Sequence, residues 1–218
     1  MIPLRDVIPS RTFPYVTITI IVLNALAWIL EVSMPPRQLN EVLYAYGVVP
    51  ADFHVPTLVT SMFLHASWSH IIGNMWYLWI FGDNVEDRCG HARFAIFYLL
   101  CGIAAALGQV AMNSTSSIPT IGASGAIAGV MGAYFVLYPH SRVLTLIPIF
   151  LWDIVEVPAI VLLGFWFLMQ LFNAGAVAVA TTGTGGGVAF AAHVVGFVAG
   201  VGGIFVFRQR ERQARWEA

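Results

Sequence analysis

Six apolar segments, separated by short polar stretches, limit what this chain can fold into. Hydrophobic residues make up 59% and charged residues only 10% of the 218 positions, which is not the composition of a soluble globular domain. About 20 mostly apolar residues cross a bilayer as one helix. The chain is therefore predicted to be an all-α, polytopic membrane protein, with six transmembrane helices in a single domain of residues 1–218. The predicted spans are Phe13–Val32, Trp68–Phe81, Arg93–Met112, Gly122–Tyr138, Val157–Ala178 and Val188–Phe207.

The arginines predict how these helices are oriented. With the N-terminus in the cytoplasm, nine of the ten basic residues lie on the cytoplasmic side and only Arg37 lies outside. Cytoplasmic loops of membrane proteins carry such an excess of positive charge. Both termini are therefore expected to be short cytoplasmic tails, with residues 113–121 and 173–187 forming uncharged outer loops. The nine arginines are Arg5, Arg11, Arg88, Arg93, Arg142, Arg208, Arg210, Arg212 and Arg215.

Charge and cysteine content argue against several classes of function. The net charge is −1, so there is no basic surface of the kind that binds nucleic acid. Cys89 and Cys101 are too few for a disulfide framework and lack the spacing of a metal site. His65, His70 and His193 could be considered a zinc set, but the HExxH pattern and a carboxylate ligand are missing. No metal and no cofactor are expected.

Ser124 and His193 are the polar residues that stand out, because each lies in a segment apolar enough to be buried in lipid. Polar side chains in hydrocarbon are costly, and they usually face the interior of the bundle or a wet cavity. In the predicted topology both residues lie in the outer half of the membrane. His70 and Asn74, four residues apart on one face of the second helix, lie at the same depth, with His65 just above them.

Small residues offer these helices a way to pack closely. Contacts between helices in lipid favour glycine, alanine and serine, which let the backbones approach one another. Both helices carry such residues on the face that continues from the polar side chain, and docking the two faces would bring Ser124 within reach of His193. The residues are Ala128 and Gly132 below Ser124, Gly125 and Gly129 on the adjoining face, and Gly196 and Gly200 below His193.

Together these residues are suited to acyl transfer. A serine hydroxyl needs a base to become a good nucleophile, and a histidine can act as one at neutral pH. Glu31, Glu41 and Asp52 are placed in loops or at helix ends, so a Ser–His dyad is favoured over a triad. The Ser124 amide at a helix N-terminus and the side chains of His70 and Asn74 could donate hydrogen bonds to an oxyanion.

Two other classes of function would use the same residues. A small six-helix transporter or proton-relay channel could place them along a pathway, but transporters usually show inverted repeats or broken helices, and the chain has no internal repeat. A catalytically inactive scaffold that binds transmembrane helices is a third hypothesis. The presence of both Ser124 and His193 argues against it.

Four sequence stretches carry a family resemblance. Their order and spacing, as a set, resemble those of the rhomboid intramembrane serine proteases over nearly the full length of the chain. The stretches are Ser61–Asn74 (SMFLHASWSHIIGN), Phe81–Gly90 (FGDNVEDRCG), Gly122–Gly125 (GASG) and Ala192–Gly200 (AHVVGFVAG).

The resemblance implies roles for individual residues. It implies a six-helix rhomboid-type bundle with Ser124 as nucleophile and His193 as general base and acid. His70, Asn74 and the Ser124 amide would be oxyanion donors, and His65 would support the site. Gly122, Gly125, Gly196 and Gly200 are expected to support it through backbone packing. Glu86 and Arg88 match a family loop that braces the cytoplasmic side.

The resemblance also implies partners, and a location is expected alongside them. The expected substrates are membrane-anchored proteins with a single transmembrane helix, cut near small residues close to the outer membrane face. The glycine-rich stretch Thr181–Gly187 would cap the site and move as substrate or water enters. The expected location is the inner (cell) membrane of a bacterium, where the helices contact lipid.

One departure from the family pattern concerns the histidine. Many relatives have an aromatic residue four positions after the nucleophile that stacks on the catalytic histidine, and here that position is Ala128. Another group must therefore orient His193. The tryptophans in or near the apolar segments are predicted to face lipid or the interface. They are Trp28, Trp76, Trp79, Trp152 and Trp166.

Overall fold

The computed structural model describes residues 1–147, 153–179 and 189–209, and most of these residues are helical. Every predicted span contains one helix whose ends lie close to the predicted ones, except that the second helix continues well past Phe81. The described helices are α1 (Tyr15–Ser33), α2 (Pro36–Tyr46), α3 (Thr57–Thr60), α4 (Trp68–Cys89), α5 (His91–Met112), α6 (Ser124–Leu137), α7 (Ala159–Val179) and α8 (Phe190–Phe207).

Four of these helices, α1, α5, α7 and α8, are long and apolar enough to cross a membrane. The other two predicted spans do not meet that criterion. Helix α6 is apolar but has only 14 residues, and α4 has 22 residues but ends in the charged sequence from Asp83 to Arg88. Length and composition among the described residues therefore identify four spans and do not confirm the predicted count of six.

Helix α6 lies at the centre of the bundle, which explains how a short helix is accommodated. Val130, Met131 and Tyr134 on α6 are at most 1% exposed, and α6 packs against α4, α5, α7 and α8. The outer helices present apolar side chains to their surroundings instead, among them Leu26 on α1 and Phe172 on α7. Such a distribution suits a lipid environment, in which the outer surface is as apolar as the core.

A three-stranded antiparallel sheet corrects the prediction that the chain is all-α. Strands β1 (Ile2–Asp6), β2 (Arg142–Ile147) and β3 (Asp153–Pro158) pair in the order β1-β2-β3. From the sequence, the first of these segments is predicted to be a tail and the second a loop. Short strands outside the apolar segments carry a weak periodicity signal, and their pairing depends on contacts distant in sequence.

Glu86 joins the end of α4 to the start of α1. The carboxylate of this buried residue accepts hydrogen bonds from the backbone N–H groups of Val16 (2.9 Å) and Thr17 (2.8 Å). It also accepts a hydrogen bond from the Thr17 hydroxyl, and its Oε1 lies 2.6 Å from Nδ1 of His91. The carboxylate thus satisfies the free N–H groups of the first turn of α1, consistent with the bracing role that the family resemblance implies.

Asp6 on β1 predicts a pH dependence of stability. This carboxyl is 9% exposed and accepts a hydrogen bond from the Tyr134 hydroxyl at 2.7 Å. Burial, reinforced by the nearby Asp83, raises the pKa of Asp6 from 3.8 to about 6 despite that hydrogen bond. The folded state therefore favours the protonated carboxyl. The contribution of Asp6 to stability is fully present below about pH 4 and is lost as the pH rises through about 6.

The variant Asp6→Asn keeps the hydrogen-bond acceptor and removes the titration. We expect the two proteins to have the same thermal unfolding midpoint near pH 4 and the variant to have the higher midpoint at pH 7. The corresponding difference in the free energy of unfolding at pH 7 is on the order of 1–3 kcal/mol. Unfolding of both proteins in the same detergent, followed at several pH values between 4 and 8, measures this difference. A difference that stays constant across this range would contradict the prediction.

Candidate active site

Backbone contacts between glycines bring α6 and α8 together. A Cβ atom added to Gly196 would overlap the carbonyl oxygen of Gly125, and one added to Gly200 would overlap that of Gly129. The predicted small-residue faces therefore meet, with Gly125 and Gly129 making the closest contacts on α6. Two helices at this distance place the side chains at their N-terminal ends directly opposite each other.

Ser124 and His193 face each other where these two helices begin. Ser124 is the first residue of α6 and His193 lies in the first turn of α8. Ser124 Oγ lies 2.8 Å from Nε2 of His193, whose side chain is almost completely buried. This is hydrogen-bond distance between a hydroxyl and a nitrogen that can take its proton.

Helix α7 contacts the other side of the His193 ring, a contact that is not predicted from the sequence. Oε1 of Gln170 lies 2.8 Å from Nδ1 of His193. The Trp166 ring, one turn earlier on α7, packs beside the imidazole with ring centres 5.8 Å apart and planes at 34°. Trp166 therefore does not simply face lipid as predicted. The available signal was an amide side chain in a mostly apolar segment, one helical turn after a tryptophan.

Asn74 is held by a polar group behind it. Its Nδ2 lies 3.0 Å from Nε2 of His65, a residue that is 1% exposed. The backbone N–H of His65 in turn donates to the carboxylate of Glu31 at 3.1 Å. Glu31 is predicted from the sequence only as a residue at a helix end, whereas its side chain is 2% exposed. It reaches the Asn74 amide through one intervening residue, His65. A buried carboxylate therefore lies near the site but bonds to the His65 backbone.

His70 and Asn74 both face the backbone just before Ser124. Gly122 has φ +118°, and a Cβ atom there would lie 2.7 Å from Nε2 of His70 and 3.6 Å from Nδ2 of Asn74. Since the Ala66 N–H is directed at His70 Nδ1 at 3.4 Å, the ring proton lies on Nε2 and faces Gly122. A glycine is required here both by the conformation and by the space.

A small cavity of about 30 Å³ lies next to Ser124. That volume has room for about two water molecules, since one water needs roughly 10–15 Å³. Its walls combine small side chains with hydroxyl groups. The stretch Thr181–Gly187, which is predicted to cap the site, lies outside the described residues. The lining includes Ser61, Gly102, Ala105, Thr120, Ser124 and Ala192.

Comparison with known proteins gives consistent matches. The Rhomboid domain family matches residues 52–210. The chain is 30% identical over 142 residues to Rhomboid-like protein 11, chloroplastic, of Arabidopsis thaliana, which covers 65% of this chain and 45% of that protein. It is 33% identical over 135 residues to Rhomboid protease GluP of Bacillus subtilis, and this alignment covers 60% of the present chain and 25% of GluP. It is 32% identical over 92 residues to Rhomboid protein 1, mitochondrial, of Saccharomyces cerevisiae, and this alignment covers 40% of the present chain and 27% of the yeast protein.

In each of these alignments the chain spans less than two thirds of the relative's length. The family match, in contrast, covers most of the chain and includes both Ser124 and His193. Four helices suited to crossing a bilayer accompany it, as expected for an integral membrane protein. This chain belongs to the rhomboid family.

Proposed function

We propose that this protein is an intramembrane serine endopeptidase in which Ser124 and His193 form a catalytic dyad. The 2.8 Å separation of Ser124 Oγ and His193 Nε2 carries the proposal, because nucleophile and base must lie within hydrogen-bond reach. Membership of a family in which one relative, of Bacillus subtilis, is named a protease supports it. No cofactor is needed for this chemistry.

In the first step the Ser124 oxygen attacks the carbonyl carbon of the peptide bond while His193 Nε2 takes the hydroxyl proton. The resulting imidazolium gives that proton to the amide nitrogen, so the C–N bond breaks and the amine product leaves. A water molecule then attacks the acyl ester, with its proton passing to Nε2. Return of that proton to the Ser124 oxygen releases the acid product and restores the enzyme.

Three donors are suited to stabilise the oxyanion that forms in both steps. The Ser124 N–H is at the start of α6, where backbone N–H groups have no partner within the helix. Nε2 of His70 and Nδ2 of Asn74 face the adjoining Gly122. His65 and Glu31 act behind them, by holding the Asn74 amide and the loop that carries His65.

The substrates we propose are membrane-anchored proteins whose transmembrane helix is easily unwound. A helix hides its carbonyl groups in hydrogen bonds, so a peptide bond must leave the helix before Ser124 can attack it. The cavity of about 30 Å³ beside Ser124 suits a small side chain at the cleaved bond. We infer that cleavage occurs near the outer membrane face, in the cell membrane of a bacterium.

This orientation depends on six spans in a single domain with cytoplasmic termini. Nine of ten arginines lie on the cytoplasmic side of that arrangement. Helix α4, which length and composition do not identify as a span, would cross at the surface of the bundle, where Ile72 and Trp79 are exposed. Helix α6, which they do not identify either, would cross within a shell formed by α4, α5, α7 and α8. The burial of ten α6 residues supports such shielding.

The test is to treat the purified protein with a fluorophosphonate and to locate the adduct by mass spectrometry. We expect a single adduct on Ser124, together with cleavage of a model single-span substrate in liposomes. The competing transporter hypothesis predicts flux of solute or protons across the same liposomes without labelling of Ser124. Flux without labelling and without cleavage would overturn the proposed function.

Asn74→Ala tests the oxyanion role of that residue. Because loss of one such donor typically costs about 10²–10³ in rate, we expect kcat to fall by that order while KM changes little. His65 would then keep its backbone bond to Glu31, so the thermal midpoint should remain near that of the wild type. Full activity in this variant would remove Asn74 from the set of donors.

A further inference from the structure

The imidazole of His193 has polar partners on both of its nitrogens. Nε2 lies 2.8 Å from Ser124 Oγ, and Nδ1 lies 2.8 Å from Oε1 of Gln170 on α7. Ala128, the position at which many rhomboid proteases carry an aromatic ring, is fully buried and offers only a methyl group. The contacts that orient His193 therefore come from a different helix.

The chemistry of the Gln170 contact determines where the ring carries its proton. An amide oxygen only accepts hydrogen bonds, so Nδ1 must donate to it. A neutral imidazole has one proton, which leaves a lone pair on Nε2 facing the Ser124 hydroxyl. This is the tautomer that a general base needs at that nitrogen.

We propose that Gln170 is a positioning residue that holds His193 in this tautomer and orientation. It occupies the place that a carboxylate has in a Ser–His–Asp triad, but as a neutral amide that can stand in an apolar helix. Glu31, the buried carboxylate near the site, bonds to the backbone of His65 instead. The inference rests on the proposed catalytic roles of Ser124 and His193.

Trp166 completes the contact from α7. It precedes Gln170 by four residues and so lies on the same face of the helix, and its ring packs beside that of His193. The hydrogen bond fixes the rotation of the imidazole within its plane, while the tryptophan restricts tilting of that plane. One face of α7 thus supplies both constraints that Ala128 cannot supply from α6.

The kinetic test compares three variants on a model transmembrane substrate. Gln170→Met keeps the size and shape of the side chain and removes the acceptor, so we expect kcat to fall about 10-fold, with KM changed less than about twofold. Gln170→Glu restores an acceptor for Nδ1–H and should return kcat to within about threefold of the wild type. Asn173→Leu is the matched control on the same helix, because the Asn173 amide bonds to the Met169 carbonyl, and it should leave kcat unchanged.

The outcomes separate this inference from the proposed function. Equal kcat values for Gln170→Met and Asn173→Leu, with Ser124 still labelled by fluorophosphonate in the wild type, would overturn the positioning role alone. Loss of activity in Gln170→Glu equal to that in Gln170→Met would also overturn it, since the acceptor would not be what matters. Absence of labelling at Ser124 in the wild type would overturn the proposed function and this inference with it.

A measurement on the wild-type protein gives an independent check, in which a variant serves only to assign the signals. In the ¹⁵N spectrum of histidine-labelled protein, the His193 signals are those lost in His193→Ala. We expect them to show a protonated Nδ1 and an unprotonated Nε2 at neutral pH. A proton on Nε2 instead would overturn the assignment of Gln170 as the acceptor.

Discussion

Replacing Ser124 with alanine should abolish cleavage of a transmembrane substrate and all labelling by fluorophosphonate. The 2.8 Å contact with His193 makes this hydroxyl the group whose proton the base can take. The only other hydroxyl on α6, that of Tyr134, donates to Asp6 instead. In serine proteases the loss of the nucleophile lowers kcat by about 10⁴-fold or more. Quantifying product in liposomes, with the fold checked by circular dichroism, measures the effect.

Two comparisons sharpen this prediction. Ser33→Ala removes another hydroxyl at a helix end, one that bonds only to the carbonyl of Leu30, and it should leave cleavage unchanged. His193→Ala should lose nearly as much activity as Ser124→Ala, and the double variant no more, because the two residues act as one unit. Substantial cleavage by either single variant would contradict the dyad.

Replacing Gly200 with alanine should have the next largest effect, through packing rather than chemistry. The added methyl would overlap the backbone of Gly129, and a helix backbone cannot rotate away as a side chain can. We expect a loss of stability of about 1–3 kcal/mol or more. Displacement of α8 by about 1 Å would also move His193 from Ser124 and lower kcat by about 10²-fold.

Gly202→Ala is the matched control, because a Cβ at Gly202 on the same helix meets no atom within 4 Å. Alanine in a helix is more favourable than glycine by roughly 0.5–1 kcal/mol, so this variant should be as stable as the wild type or slightly more stable. Thermal unfolding and cleavage assays on the two variants give opposite results if the contact matters. A Gly200→Ala protein with normal stability and activity would show that α6 and α8 do not need this close approach.

The helices and the meeting of Ser124 with His193 are both predictable from the sequence, and for related reasons. The long apolar segments have few alternatives to helix in a membrane, since an unpaired backbone is costly there. Glycines spaced by four residues mark the faces along which such helices pack most closely. The Gly125–Gly196 and Gly129–Gly200 contacts follow from that spacing.

Other features depend on partners that are distant in the chain and leave little trace in local sequence. The β1-β2-β3 sheet joins residues near position 4 to residues near position 144, and neither segment has a pattern that identifies the other. The amphipathic helix α2 in the first loop was not anticipated either. In the same way, Glu31 reaches the site only because α1 packs against the loop that carries His65.

The membrane class, the long helices and the candidate pair can be read from the sequence alone, because hydrophobicity, the distribution of arginines and the spacing of small residues are visible along one chain. What surrounds the pair depends on how the helices pack together. The approach of α7 to α8 determines that Gln170 and Trp166 contact His193, and the fold of the loop before Ser124 places His70 and Asn74 against Gly122. These contacts join residues of separate elements. Their geometry depends on how those elements pack against one another, which the sequence of a single segment does not show.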